Sequence, residues 1–200
     1  MLKVLMPIGD AAEVLDTLYA YYRIREEYQV IVAGPERRTY PLVMHEIPPG
    51  WDITRESPGY HLASEIAFSE VVAEDYSGLF LTGGRAPEYL RYDKDLLRIV
   101  HHFFDAGKPV CVVCHGAEIL AAARVIQGKR MATVAKCQLD IELCGAVFVN
   151  EGCVRDGSMV SGRTWNDQHL YMPEFMRMVA QEVARNAGAQ PSPASATPRG

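Results

Sequence analysis

"KPVCVVCHGAEILAAARVI", Lys108 to Ile126, joins two kinds of local order at a single point. Pro109 to Val113 is a short, valine-rich apolar run. It reads as a strand buried on both faces, as strands of parallel sheets are. Gly116 to Val125 is rich in alanine and leucine and reads as a helix. Cys114 and His115 stand at the junction. A thiol there meets the free N–H groups and positive end of a helix, which stabilise a thiolate. The bland alternative is a small buried hydrophobe, the role of most free cysteines. The rest of the chain has to decide between the two.

Strand and helix signals alternate on either side. "KVLMPI" (Lys3–Ile8) and "YQVIVAG" (Tyr28–Gly34) read as buried strands. Between them, Val14, Leu15, Leu18, Tyr19, Tyr22 and Ile24 recur at helical spacing. Residues 35–60 are rich in proline, glycine and charge and read as a loop with short irregular strands. "SGLFLTGG" (Ser77–Gly84) is a further strand ending on two glycines. "DKDLLRIVHHFFDAGK" (Asp93–Lys108) is an amphipathic helix closed by Gly107. "MATVA" and "AVFVN" read as short strands around a helix near Leu139–Cys144, and "CVRDGSMVSG" as a hairpin turning at Asp156-Gly157. A last helix is predicted from "PEFMRMVAQEVARNA", with Pro173 near its first turn. Residues 1–187 thus form one α/β domain with a mostly parallel sheet covered on both faces, a three-layer α/β/α sandwich. Residues 188–200, "GAQPSPASATPRG", are too poor in apolar surface to order and are predicted to be a disordered tail.

The totals exclude several classes. Two hundred residues, 48% hydrophobic and 22% charged, suit one soluble domain. A net charge of −5 argues against a nucleic-acid partner, which calls for a basic patch. No apolar run reaches bilayer length, so no membrane partner is expected. The chain opens directly into "LKVLMPI" without a basic stretch and a long apolar core, so a cytoplasmic protein is expected. Five cysteines in such a chain do not suggest a disulfide framework. Cys111 and Cys114 form a C-x-x-C, but Cys111 lies inside the strand and no second pair follows at zinc-finger spacing, so no metal is expected. No complete phosphate loop is present, and no cofactor is expected.

In a parallel sheet the ligand site lies at the carboxyl ends of the strands. Three loops should converge there. Gly9 to Glu13, with the helix start behind it, brings Asp10, Glu13 and Asp16. "GGRAPE" brings Gly83, Gly84, Arg85 and Glu88. The third brings Cys114, His115 and Glu118. Glycines let the backbone approach a ligand and expose N–H groups. Those of Gly83, Gly84 and His115 could hold an oxyanion beside an activated thiol.

"GGRAPEYLR" followed by "GKPVCVVCHGAEILAAA", with "KVLMPIGDAAEVLDTLYAYYRIREE" before them, resembles the PfpI-like branch of the ThiJ/PfpI superfamily over roughly residues 2–185. The resemblance implies a flavodoxin-like fold with a reactive cysteine at a strained strand–helix elbow. It makes Cys114 the nucleophile and His115 the elbow histidine. It puts the carboxylate that hydrogen-bonds the sulfur on Glu13, with Asp10 and Asp16 as rivals. It makes Glu88 the acid that orients the histidine, within one subunit or from its neighbour, in a homo-oligomer. Where the family often carries Tyr-Pro after the elbow helix, this chain has Val134. Its elbow reads "CHGAE", adding Glu118. Trp165 and His169 in "RTWNDQHLY" are further candidates for the pocket.

Family activities include glyoxalase without cofactor, protein deglycase, cysteine peptidase, isonitrile hydration and a chaperone role under oxidative stress. The resemblance therefore implies a cysteine-dependent enzyme acting on a small electrophilic carbonyl, as a glyoxalase, deglycase or related lyase or hydratase. The alternatives are an oxidative-stress sensor or chaperone with an oxidisable Cys114, or a peptidase. Fold alone does not choose among them.

Overall fold

The computed structural model describes residues 2–189. The predicted tail lies outside them from residue 190 on. At its near end the last helix runs to Ala189, two residues past the expected domain boundary.

A seven-stranded sheet forms the middle layer. Its strands are β1 (Lys3–Pro7), β2 (Gln29–Gly34), β5 (Ile66–Ala67), β6 (Tyr76–Leu81), β7 (Val110–Val113), β10 (Val154–Asp156) and β11 (Met159–Gly162). Their order is β10-β11-β7-β6-β1-β2-β5. Every pairing is parallel except the β10–β11 hairpin at one edge, which turns at Gly157 with φ +61°.

Alternation along the strands sorts the core into two layers. Leu5, Leu79, Leu81, Val110 and Val112 face one side. There they meet Leu96, Ile99, Val100 and Phe103 of α3 (Lys94–Asp105) and Leu120 of α4 (Ala117–Ala123). Val4, Met6, Phe80, Cys111 and Val113 face the other side. They meet Ala20 and Ile24 of α1 (Val14–Arg25) and Phe175 and Val179 of α6 (Gln168–Ala189). The result is the expected three-layer, flavodoxin-like α/β/α sandwich. α2 (Ala86–Leu90) and α5 (Gln138–Leu143) are single short turns of helix, and β8 (Arg130–Met131) pairs with β9 (Val147–Phe148) as a separate two-stranded ribbon. No helix among the described residues is long and apolar enough to cross a membrane.

Two readings need correction. Residues 35–60 are not an irregular loop: β3 (Thr39–Glu46) and β4 (Arg55–Ala63) form a long antiparallel hairpin. Tyr40 and Leu42 are buried, while the alternate residues face outward. The hairpin docks on the first strand–helix loop, where the Val43 N–H donates to the Ala12 carbonyl at 3.0 Å and the Ala11 N–H to that of Pro41 at 2.9 Å. The last helix also starts five residues before Pro173. A turn at Trp165–Asp167, with Thr164 as its cap, feeds straight into it.

Candidate active site

β7 ends at Val113, and Cys114 turns the chain with φ +55°. A short 3-10 turn, Cys114–Gly116, then leads into α4. A left-handed conformation at a residue with a side chain costs about 1–2 kcal/mol and persists only where its surroundings impose it. Here they do. The Thr133 hydroxyl donates to the Cys114 carbonyl at 2.7 Å. Gly116 lets α4 press against β6, since a Cβ there would stand 2.9 Å from the carbonyl oxygens of Leu81 and Thr82.

The three predicted loops meet at this elbow. Ala12 and Gly84 form a bridge, the Arg85 N–H donates to Ala11 O at 2.8 Å, and the Glu13 N–H to Gly83 O at 3.2 Å. Gly84 has φ +84° and Ala11 φ +63°. The backbone N–H groups of Gly84 and His115 point at the Cys114 sulfur and favour its ionised form. Gly83 is the close-approach residue: a Cβ there would overlap Asp16 Oδ2 and stand 3.0 Å from Cys114 Sγ.

The carboxyl group at the sulfur belongs to Asp16 rather than to Glu13. Asp16 is fully buried and lies against the thiol, although neither of its oxygens makes a hydrogen bond of regular geometry. Burial, and then the charge of Glu13, hold its pKa well above the ordinary carboxylate range. Glu13 instead caps α1, its Oε2 accepting from the Asp16 N–H at 2.6 Å. The physical reason is helix geometry: Glu13 precedes the first turn and serves its free N–H groups, whereas Asp16 shares the inward stripe with Ala20 and Ile24. The third rival, Asp10, is half-exposed and paired with Arg38 at 2.6 Å.

His115 Nδ1 lies 3.2 Å from Cys114 Sγ. Burial lowers the imidazole pKa, with Glu88 opposing. Burial raises the Cys114 thiol well above its usual value. The helix end therefore does not make a free thiolate in the resting protein. Cys114 is only 3% exposed, and lost hydration outweighs the two N–H groups.

A model of the DJ-1/PfpI family matches residues 2–181. The chain belongs to the DJ-1/PfpI family. Among its curated relatives, Deglycase TK1284 of Thermococcus kodakarensis is 33% identical over 179 residues, 89% of this chain and 99% of that protein. Deglycase PfpI of Pyrococcus furiosus is 28% identical over the same shares of both chains. Among solved structures, Schizosaccharomyces pombe DJ-1 superposes with a TM-score of 0.72 at 14% identity, over 95% of this chain and all of that one. Drosophila melanogaster DJ-1beta gives 0.73 at 15%, over 95% and 99%.

Within this DJ-1/PfpI site the remaining candidates separate. Glu88 is half-exposed and forms a two-point ion pair with Arg85 of its own chain, at 2.9 and 3.0 Å. It influences His115 through space only. Glu118 is buried beneath His115, close to Cys137 and Arg91. Val134 packs on the core layer that contains Cys114. His169 is exposed on α6 and Trp165 half-buried. No described hydrogen bond or ion pair links either of them to the elbow. Sequence reasoning passed over Thr133 and also His45, whose nearly buried ring on β3 acts electrostatically on both Glu13 and His115.

Two tests follow from this packing. Gly83→Ala should displace Asp16 or Cys114 and abolish activity while the fold survives, as judged by circular dichroism. Asp16 keeps its proton in the fold at pH values where the unfolded chain, with a carboxyl pKa near 3.8, has lost it. The folded state thus binds more protons, and the contribution of Asp16 to stability falls as pH rises above that value. Asp16→Asn removes this slope. Its melting temperature relative to the native chain should improve between about pH 4 and about pH 7.

Proposed function

We propose that this chain is a cysteine-dependent enzyme of deglycase type, without a cofactor, acting on a small α-oxoaldehyde or on the adduct it forms with an amine or thiol. One observation carries the reading. A strained Cys114 lies between a histidine nitrogen at 3.2 Å, the fully buried Asp16 carboxyl, whose pKa burial raises, and two backbone N–H groups aimed at its sulfur. The relatives named deglycases, which this chain matches along nearly their whole length, support it.

Chemistry follows from the protonation states. The buried thiol is neutral at rest, so it needs a base as it attacks. His115, neutral because burial lowers its pKa, accepts the Sγ proton as sulfur adds to the aldehyde carbon. The imidazolium returns that proton to the former carbonyl oxygen, giving a hemithioacetal. His115 then carries a proton from the aldehyde-derived carbon to its neighbour while the hemithioacetal O–H proton passes to the adjacent oxygen, giving an S-acyl thioester of a hydroxy acid. Water adds to the thioester carbonyl, the C–S bond breaks, and the proton left by water returns to sulfur as the hydroxy acid departs. The Asp16 carboxyl donates toward sulfur and steadies whatever negative charge it gains. Gly84 and His115 N–H groups do the same from the backbone.

A homo-oligomer forms part of the proposal. Leu15, Tyr19 and Tyr22 line the outer face of α1, and Met44 and Tyr60 stand exposed on the neighbouring hairpin. In "GGRAPEYLRYD" Tyr89 and Tyr92 are exposed, whereas Leu90 is buried. Light scattering should give a mass above 22.2 kDa.

Turnover of methylglyoxal and of its adducts with N-acetylcysteine and N-acetylarginine tests the chemistry. Cys114→Ala should be inactive. Asp16→Asn should lower kcat by about 10²–10⁴-fold, and Glu13→Gln much less. The acid limb of kcat/KM should fall below pH 6.5, the ordinary histidine value, because the His115 pKa is lowered. Full turnover by Cys114→Ala would sink the reading.

A further inference from the structure

One group of metal-capable side chains among the described residues lies outside the role given to Cys114. The ligand atoms of His115, Glu118 and Cys137 all lie within 4.8 Å of one another. We propose that these three residues form a binding site for a divalent transition-metal ion, best suited to Zn²⁺, beside the reactive thiol.

The fold assembles the three donors for reasons unconnected with metal. His115 and Glu118 are three residues apart, so they project from the same side of the turn into α4. Cys137 ends the short turn Ala135–Cys137. That turn is held to the elbow by the hydrogen bond from Thr133 to Cys114 O at 2.7 Å. Zinc bonds of about 2.0–2.3 Å place tetrahedral donors roughly 3.3–3.8 Å apart. The widest pair in the cluster thus needs to close by up to about 1.5 Å, through rotation of the Glu118 and His115 side chains.

Its polar groups are poorly satisfied as they stand. Glu118 is 8% exposed and Cys137 1%. The Cys137 thiol lies 3.7 Å from Glu118 Oε1, and Glu118 Oε2 has no hydrogen-bond partner. Buried polar groups without partners cost free energy, and a cation would supply the missing one. Asp140 and Glu88 add negative charge around Glu118. Arg91 opposes, 3.5 Å from Glu118 Oε2 with its side chain 30% exposed, and has to turn away from the carboxylate for the ion to bind. Lys136 adds a second positive charge near His115. A donor set of one imidazole nitrogen, one carboxylate oxygen and one thiolate excludes the hard ions Mg²⁺ and Ca²⁺ and suits Zn²⁺. Three protein ligands leave a fourth position open to water.

Occupancy has a chemical consequence. With Nδ1 turned to the Cys114 sulfur, Nε2 is the nitrogen available to the metal. A neutral imidazole bound through Nε2 carries its proton on Nδ1. Nδ1 then donates to sulfur and can no longer accept the thiol proton. Zinc would switch off general-base action by His115. This inhibition rests on the deglycase reading, whereas binding itself does not.

The two are separated by titrating the purified chain with Co²⁺ and with Zn²⁺. Co²⁺ should produce the near-ultraviolet charge-transfer band of a thiolate ligand. Competition against a chromophoric chelator gives the Zn²⁺ affinity. Cys137→Ser should lose the band, whereas Cys114→Ser should keep it. Glu118→Gln, which preserves size and guards against a folding artefact, should keep the band and weaken Zn²⁺ binding by about tenfold or more. No band in the native chain, a band that survives Cys137→Ser, one that disappears with Cys114→Ser, or unchanged affinity in Glu118→Gln would each overturn the site. If these binding results hold but Zn²⁺ leaves turnover of methylglyoxal unchanged, the site stands and the general-base role of His115 fails.

Discussion

The positive φ of Cys114 is the constraint on which the site depends. β7 lies between β6 and β11, so the elbow sits inside the sheet's carboxyl edge with neighbours on every side. Its strain of about 1–2 kcal/mol cannot relax without moving something fixed. Gly116 is wedged against the last carbonyls of β6 and the residue after it, and Thr133 holds the Cys114 carbonyl from the far side. The thiol is thereby lifted out of the strand line toward Gly84, whose N–H it meets. Loop geometry elsewhere follows from the same point. Gly84 takes φ +84° so that its loop passes between the sulfur and the backbone of Ala11–Glu13, where any Cβ would collide.

Much of this architecture is legible in the sequence, because strands buried on both faces leave an unbroken apolar run. All six residues of β6 and all four of β7 are buried. The β3–β4 hairpin was not legible for the converse reason. Only one of its faces is covered, and Pro41, Pro58 and Gly59 lie within it, which reads as loop composition. α1 shows a different limit. Its apolar residues occupy both faces, so spacing identified a helix but not its inward side, and Leu15 and Tyr22 point outward.

At the site, Cys114, His115 and Gly84 could be placed because strand–turn–helix punctuation fixes them locally. Thr133, His45 and Cys137 could not, since their proximity to the elbow is purely tertiary and nothing nearby in sequence marks it. Asp16 had a signal that went unused. An acidic residue four and eight positions before Ala20 and Ile24, on a stripe that must be buried, is costly unless it has a task. That pattern favours Asp16 over Glu13 without any structure.

Which of the two carboxyls carries the proton then follows from their surroundings. Both are buried, and both pKa values are raised by that burial. Two neighbouring carboxylates in such a place do not ionise equally; environment pushes them apart. Glu13 receives backbone N–H groups from Asp16, Leu15 and His45, and it stands at the positive end of α1. Asp16 receives no backbone donor; of what acts on it, only contact with Cys114 opposes the rise. The negative charge therefore settles on Glu13 and the proton on Asp16. The acid nearest the sulfur is thus the one that holds its proton more firmly, and the protonated form can accompany a thiolate rather than repel it. The capping role of Glu13 keeps it so, because an ionised Glu13 raises the pKa of Asp16.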